Sequence, residues 1–359
     1  MSSSAAAPIE AGGMPASPSR AEEAVAAGYA GALPDRMDVS VVVPTYRRPA
    51  LLAACLRALC EQDYPADRYE IIVCDDGPDE ATRACVARFA AAQAARGLTV
   101  RYVPVTGSQG PAGARNAGWQ QAHSPLIAFT DDDTLPDRHW LTAGVAALAP
   151  GVAAASGKIL VPLPDLPTDY EADASGLERA EFATANAFVA RKFLVSTGGF
   201  DERFTSAWRE DSDLEFTLMR AGGEIVRATD AVVVHPVRPA HWGVSIAQQK
   251  KSQFDALLYK KHPHLFRTRI RATPPLLYYA ILCAALTALF AVPASHMTIA
   301  LTALIVWLAL TGYFCVMRLH GRDRSWRHVA EMAWTSVPIP FLSIYWRLYG
   351  AFRFKVFFP

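Results

Sequence analysis

The sequence predicts an α/β fold, a mostly parallel open sheet flanked by helices, with an apolar helical hairpin near the C-terminus. Three observations carry this reading. From Met37 onward, short β-branched runs alternate with segments of helical period, the pattern of an open sheet with helices on its faces. Polar residues recur where those runs end: Thr45 and Tyr46, Asp75 and Asp76, and Asp131 to Asp133. Such a sheet places its ligand crevice outside the carboxyl ends of its strands. Finally, Ala272 to Met317 runs for about 46 residues without Lys, Arg, Asp or Glu.

The elements follow in order. Val39 to Val43 (VSVVV) fits a parallel strand buried on both faces and stops at Pro44. Leu51, Leu52, Cys55, Leu56 and Leu59 recur at helical spacing and predict a helix over Ala50 to Cys60. A strand at Glu70 to Cys74 ends in Asp75-Asp76-Gly77, and an Ala-rich helix spans Glu80 to Arg96. Then come a strand at Thr99 to Pro104, a glycine-rich loop, a helix over Ala112 to Ala122, and the run Pro125 to Thr130 that closes on the three aspartates. Further on, an amphipathic helix is expected over Asp211 to Ala221, ended by Gly222-Gly223, and a strand over Ala231 to Val234.

Composition narrows the function. A formal charge of +1 over 359 residues gives no reason to expect nucleic acid as a partner. The six cysteines show no C-x-x-C or C-x-x-H spacing, so neither a zinc site nor a disulfide framework is supported. Residues 1–36, rich in Ala, Ser, Pro and Gly, read as a disordered leader because no basic segment precedes an apolar core.

The carboxylate triplet suits a hard divalent cation, Mg²⁺ or Mn²⁺, which is usually held by one or two carboxylates together with substrate phosphates. Asp131 and Asp133, two apart, can serve a ribose and a metal while Asp132 points elsewhere. A solvated acidic turn is the other reading. The loop Gly107 to Gly118 (GSQGPAGARNAG) opens a helix, so its backbone N–H groups and Arg115 can face an anion. It carries neither G-x-G-x-x-G nor a Walker lysine, and a plain glycine-rich turn explains it as well.

Taken together, VSVVVPTYRRP, IIVCDDG, GPAGARNAG, FTDDDTLPDRHW, TANAFVARKFLVSTGGFDERF and WREDSDLEFTLMRAGG resemble glycosyltransferase family 2, inverting enzymes with a Rossmann-like nucleotide-sugar-binding fold of type A. The resemblance covers Asp38 to Pro263, and its strength is the order of several short motifs. It implies that Pro44, Thr45, Tyr46, Asp75 and Asp76 line a nucleoside pocket, with Arg115 and Asn116 near the diphosphate. It implies that Asp131 and Asp133 form the D-x-D pair, Asp133 on the metal, and that Asp211 of the Glu210-Asp211 pair is the general base. Asn186 and Glu210 fall where relatives meet the acceptor or donor sugar, and His235 where a histidine can join the metal shell.

The chemistry is consistent with that assignment. Inversion needs one carboxylate to deprotonate the nucleophile opposite the leaving group, and a metal in place of a general acid. Capping of the helix N-terminus is the ordinary alternative for Glu210, Asp211 and Asp213. Trp208 reads either as a platform for a sugar ring or as a core residue, and His235 as a ligand or a structural strand end.

The uncharged tract is long enough for two crossings, Leu276 to Val292 and Thr298 to Met317, turned at Pro293 to His296. Arginines flank both sides (Arg267, Arg269 and Arg271 before; Arg318, Arg322, Arg324 and Arg327 after), which places both ends in the cytoplasm. Residues 329–359 are aromatic and interrupted by Pro338 and Pro340, so an interfacial or re-entrant segment is expected, a third span being the alternative. The expected organisation is therefore a catalytic domain over 37–265, a basic juxtamembrane segment and hairpin over 266–318, and a basic loop with an interfacial segment over 319–359. Residues Gln248 to Ser252 read QQKKS, not Q-x-x-R-W, which favours single sugar addition over polymer extrusion. The expectation is a metal-dependent enzyme of the cytoplasmic membrane. It would move one sugar from a nucleoside diphosphate sugar to a lipid-linked or membrane-proximal acceptor, in contact with membrane lipids. A polyprenyl-phosphate acceptor and a non-catalytic scaffold are the alternatives.

Overall fold

Valines 39, 41, 42 and 43 are fully buried, and the strand they form, β1 (Val39–Thr45), is the centre around which a computed structural model of the chain is built. The structure describes residues 37–358; the leader expected over 1–36 lies outside the described residues. β1 continues through Pro44 instead of stopping there. The ladder to its neighbour β4 (Leu126–Thr130) has already ended at Val42, so the proline's missing N–H breaks no rung.

β2 (Tyr69–Asp75) and β3 (Thr99–Pro104) extend the sheet on one side of β1, all parallel. α1 (Pro49–Cys60) and α2 (Glu80–Gln93) make the crossovers, and α3 (Pro111–Gln120) lies flat on β1 and β2. Gly118 allows that approach: a Cβ there would sit 2.4 Å from Val42 Cγ1 and 2.7 Å from Cys74 Sγ.

Beyond β4 the chain adds elements whose sequence carries weak periodicity. These are the short β5 (Leu135–Pro136), α4 (Trp140–Ala147), β6 (Val152–Leu160), α5 (Asp169–Ala174), β7 (Asn186–Ala190), α6 (Arg191–Thr197), α7 (Glu210–Arg220) and β8 (Glu224–Val234). The eight strands lie in the order 3-2-1-4-7-6-8-5. β7 runs antiparallel to β4 and β6, and β5 antiparallel to β8; the rest are parallel. The mostly parallel open sheet is thus present. β8 begins seven residues earlier than Ala231 because its exposed outer residues, such as Glu224 and Arg227, hide the strand from a hydrophobicity reading.

After β8 come α8 (Val244–Gln248) and α9 (Gln253–Lys261), then α10 (Leu276–Ala291), α11 (Met297–Leu319), α12 (Trp326–Ser336) and α13 (Ile339–Arg353). α10 and α11 pack on each other, but among the described residues only α11, with 23 residues, is long and apolar enough to cross a membrane; α10 has 16. α12 and α13, of 11 and 15 residues, fall short of a span. α13 packs on α9 instead, with Gly350 against the Gln253 backbone, and Phe354 and Phe358 join a core with Phe204, Phe254 and Phe266.

Candidate active site

A cavity of about 600 Å³ opens at the carboxyl ends of β1 and β4, between α3 and α7. Pro44, Thr45, Tyr46, Asp76, Arg115, Asp131, Asp133, Trp208, Glu210, Asp211 and His235 all stand in its wall, together with Asp132. Most residues the sequence singled out therefore meet at one place.

The triplet turns sharply at the end of β4, where Thr134 donates to the Asp131 carbonyl at 2.7 Å, so its three side chains face different partners. Asp132 turns inward, fully buried, and accepts from Thr45 Oγ1 at 2.6 Å and pairs with Arg48 at 2.9 Å. Burial pushes its carboxyl up to about 7 against the pull of Arg48 and Thr45. Asp131 and Asp133 face the cavity, and their oxygens lie within 4.8 Å of one another and of a ring nitrogen of His235. Asp133 is also paired with Arg238 at 2.9 Å and Arg48 at 3.5 Å. Two carboxylates and one imidazole are a donor set that fits Mn²⁺ well and Mg²⁺ less so, since Mg²⁺ favours oxygen alone.

Arg115 does not point at open solvent to await a phosphate. Only 3% exposed, it reaches from α3 to Asp131 at 2.8 Å and to Glu210 at 3.2 Å, tying the triplet to the head of α7. Burial alone would raise the Asp131 carboxyl; Arg115, then His235 and Arg48, outweigh it and hold it below the usual carboxylate range. Glu210 is pushed up to about 8 by burial and by the charge of Asp211, in spite of Arg115. Asp211 is raised chiefly by burial, while Arg115 and a 2.5 Å bond from Thr184 Oγ1 work to keep it ionised.

The backbone delivers this pair under strain. Arg209, just before α7, holds φ at 75°, an unusual left-handed conformation for a side-chain-bearing residue. Its guanidinium is pinned to Asp255 at 2.7 Å and stacks 4.5 Å from the Trp208 ring. Trp208 also donates to Asp255 at 3.2 Å, which fixes its indole in the cavity wall. Asp213 takes Lys261 at 2.6 Å and His262 at 3.1 Å, and Glu210 takes Arg115.

Three expected residues are not in the cavity wall. Asp75 is fully buried and accepts from Gly77 N, Asp79 N and Tyr102 Oη, shaping the turn after β2. Asn116 spends its amide on Phe200 and Glu202 and its oxygen on Trp119. Asn186 binds the Lys158 and Ala231 carbonyls and accepts from Trp140, sealing β7 to its neighbours. In this structure all three side chains are committed to neighbours within the fold and none of them lines the cavity. The glycine-rich loop is also partly occupied: Gly110 N donates to both oxygens of Asp76, at 3.0 and 2.9 Å, closing the loop on the end of β2. Sequence reasoning missed Arg48, Arg238 and Thr184. The first two lie within the stretches YRRP and HPVRP, but nothing in their spacing signals a carboxylate partner.

Comparison with known proteins agrees with this geometry. The model of glycosyl transferase family 2 matches residues 40–203, and that of glycosyl transferase family group 2 matches residues 126–319. Glycosyltransferase AglE of Haloferax volcanii is 28% identical over 56% of this chain and 67% of its own length. Hyaluronan synthase of Pasteurella multocida is 26% identical over 64% of this chain, which spans only 28% of that protein. Among solved structures, the mannosyltransferase PcManGT from Pyrobaculum calidifontis, in complex with GDP-Man and Mn²⁺, aligns with a TM-score of 0.55 and 20% identity over 90% of this chain and 92% of its own, a likeness of fold. The ordered motifs, the sheet and the family matches lead to one conclusion: the chain is a glycosyltransferase enzyme and belongs to glycosyltransferase family 2.

Proposed function

We propose that this enzyme is a metal-dependent, inverting glycosyltransferase that moves one sugar from a nucleoside diphosphate sugar to a lipid-linked or membrane-proximal acceptor at the cytoplasmic face of a membrane. The observation that carries the reading is the convergence of two carboxylate sets, Asp131 and Asp133 with His235, and Glu210 with Asp211, on one cavity.

In this reading Thr45, Tyr46 and Asp76 border the nucleoside, and Asp131, Asp133 and His235 hold Mn²⁺ or Mg²⁺. Such a cation supplies positive charge to a departing diphosphate, which removes the need for a general acid. Asp211, held by Thr184, takes the proton from the acceptor hydroxyl as that oxygen attacks. Arg115 keeps the two sets in register, and Glu210 serves as its second anchor. The membrane assignment rests on α11, whose length suffices for a crossing and whose apolar surface is largely exposed. The exposed aromatic residues Trp326, Trp334, Phe352 and Phe357 fit the boundary between headgroups and acyl chains.

The test is donor turnover by the full chain in detergent, with GDP- and UDP-sugars, in the presence of Mn²⁺ or EDTA. Turnover that requires metal, and an Asp211→Asn variant that loses about 10²–10⁴-fold in rate while keeping donor affinity, is the expected result. Equal turnover in EDTA removes the metal, and a fully active Asp211→Asn removes the base. That second outcome favours a polyprenyl-phosphate acceptor, already ionised, for which Arg238 and Lys251 in the cavity wall supply positive charge.

A further inference from the structure

Besides the strand ends, the cavity is walled by two segments from elsewhere: one carries Tyr170 and Asp173 on α5, the other Arg238, Gln248 and Lys251 around α8. Both segments are also tied to the C-terminal helices. Arg318, near the end of α11 and largely buried, grips Asp169 at the start of α5 through Nε at 3.2 Å and Nη2 at 2.7 Å. The same guanidinium donates to Ser245 on α8 at 3.2 Å, and to Thr335 and Ser336 at the end of α12 at 2.7 and 3.1 Å. Further bonds run alongside. Asp323 N donates to the Pro167 carbonyl at 3.0 Å, Asp169 N to His328 Nε2 at 3.3 Å, and Gly243 N to Glu331 at 2.6 Å.

A guanidinium presents five donors in a rigid fork, and here that fork binds three other segments to α11 at once. A hydrophobic anchor needs no such contact, since its length and apolarity suffice to hold it in lipid. We propose that Arg318 is a positioning residue for the acceptor end of the cavity: it ties α5 and α8 to the membrane-seated helices, so that these helices shape the acceptor site as well as anchoring it. The proposal rests on the glycosyltransferase reading above, in which the donor occupies the strand ends and the acceptor meets the remaining wall.

The test compares full-length wild type, Arg318→Ala, Arg318→Lys and Asp169→Asn in detergent, where membrane recruitment plays no part. One readout is amide hydrogen exchange. Residues 165–177 and 240–248 are expected to exchange at least tenfold faster in Arg318→Ala and Asp169→Asn, with β1 and β4 unchanged and Arg318→Lys between. Unaltered exchange in both segments overturns the proposal, as does uniform acceleration over the whole chain, which marks a general loss of fold. The second readout is the partition of consumed donor between water and octyl glycosides offered as soluble acceptors. Transfer relative to hydrolysis is expected to fall at least tenfold in Arg318→Ala. An unchanged ratio overturns the proposal. Wild type that consumes no donor overturns the functional reading, leaving the exchange result to judge the clamp by itself.

Discussion

At the scale of single residues, the decisive contacts are those that set the charge of buried carboxylates. Arg115 neutralises Asp131 and hydrogen-bonds Glu210 from a position closed to solvent. Arg115→Met should destabilise the protein by about 3–5 kcal/mol in chemical denaturation, because removing one partner leaves buried negative charge uncompensated. Arg115→Lys should cost less, retaining the charge without the two-pronged geometry. Thr184 acts more finely. Its hydrogen bond favours ionised Asp211, so with Asp211 as the proposed base Thr184→Val should move the rising limb of the pH–rate profile to higher pH, with roughly a tenfold loss on its acid side. A profile that overlays wild type would separate Thr184 from the base. The carboxylates themselves were legible in the sequence because acidic residues at strand ends form a local pattern. Their arginine partners were not: Arg48 and Arg238 are far apart in sequence and meet only at Asp133.

Among the elements, α3 and α7 position the site, and each offers a measurement. Gly118→Ala on α3 would place a methyl group inside contact distance of Val42 and Cys74 in two neighbouring strands. About 1–3 kcal/mol should be lost in thermal or denaturant unfolding as the helix is forced off the sheet. On α7, Glu215 is largely buried, and burial pushes its carboxyl up to about 7, with Glu181 adding to the rise and Arg269 opposing it. A carboxyl raised on folding binds its proton more tightly in the native state. Its contribution is therefore most favourable below its ordinary value near 4.5 and is lost as pH climbs to about 7. Glu215→Gln should be nearly neutral at pH 5 and should raise stability by about 1–2 kcal/mol at pH 8, flattening the stability–pH curve between them. A uniform effect at both values would show that Glu215 is already ionised at pH 5. Elements of the first half were readable because β1, β2 and β4 are buried on both faces and show continuous apolar runs. Beyond Asp133 the signal fails for physical reasons. β6 is rich in small residues (VAAASG), β7 mixes Asn186 with apolar neighbours, and part of β8 faces solvent.

For the whole molecule, the question is whether the C-terminal helices are an appendage or part of the fold. The sequence separated an apolar tract from a catalytic domain by charge alone, and charge says nothing about packing. In the structure, Phe354 and Phe358 complete a core with Phe204 and Phe254, and Arg347 lies 3.6 Å above the Phe358 ring. That core also holds Phe216 of α7, the helix that begins with Glu210 and Asp211. Stability of the active-site helix therefore depends on the last residues of the chain. Phe358→Ala and Phe354→Ala should each cost about 3–5 kcal/mol, the range for truncating a buried aromatic side chain. Removal of residues 326–359 should leave a chain that aggregates in detergent or melts at markedly lower temperature, with donor turnover lost in parallel. A stable, active protein lacking those residues would show that α13 and the aromatic core it closes can be dispensed with, and that α7 is held by the sheet and α9 alone.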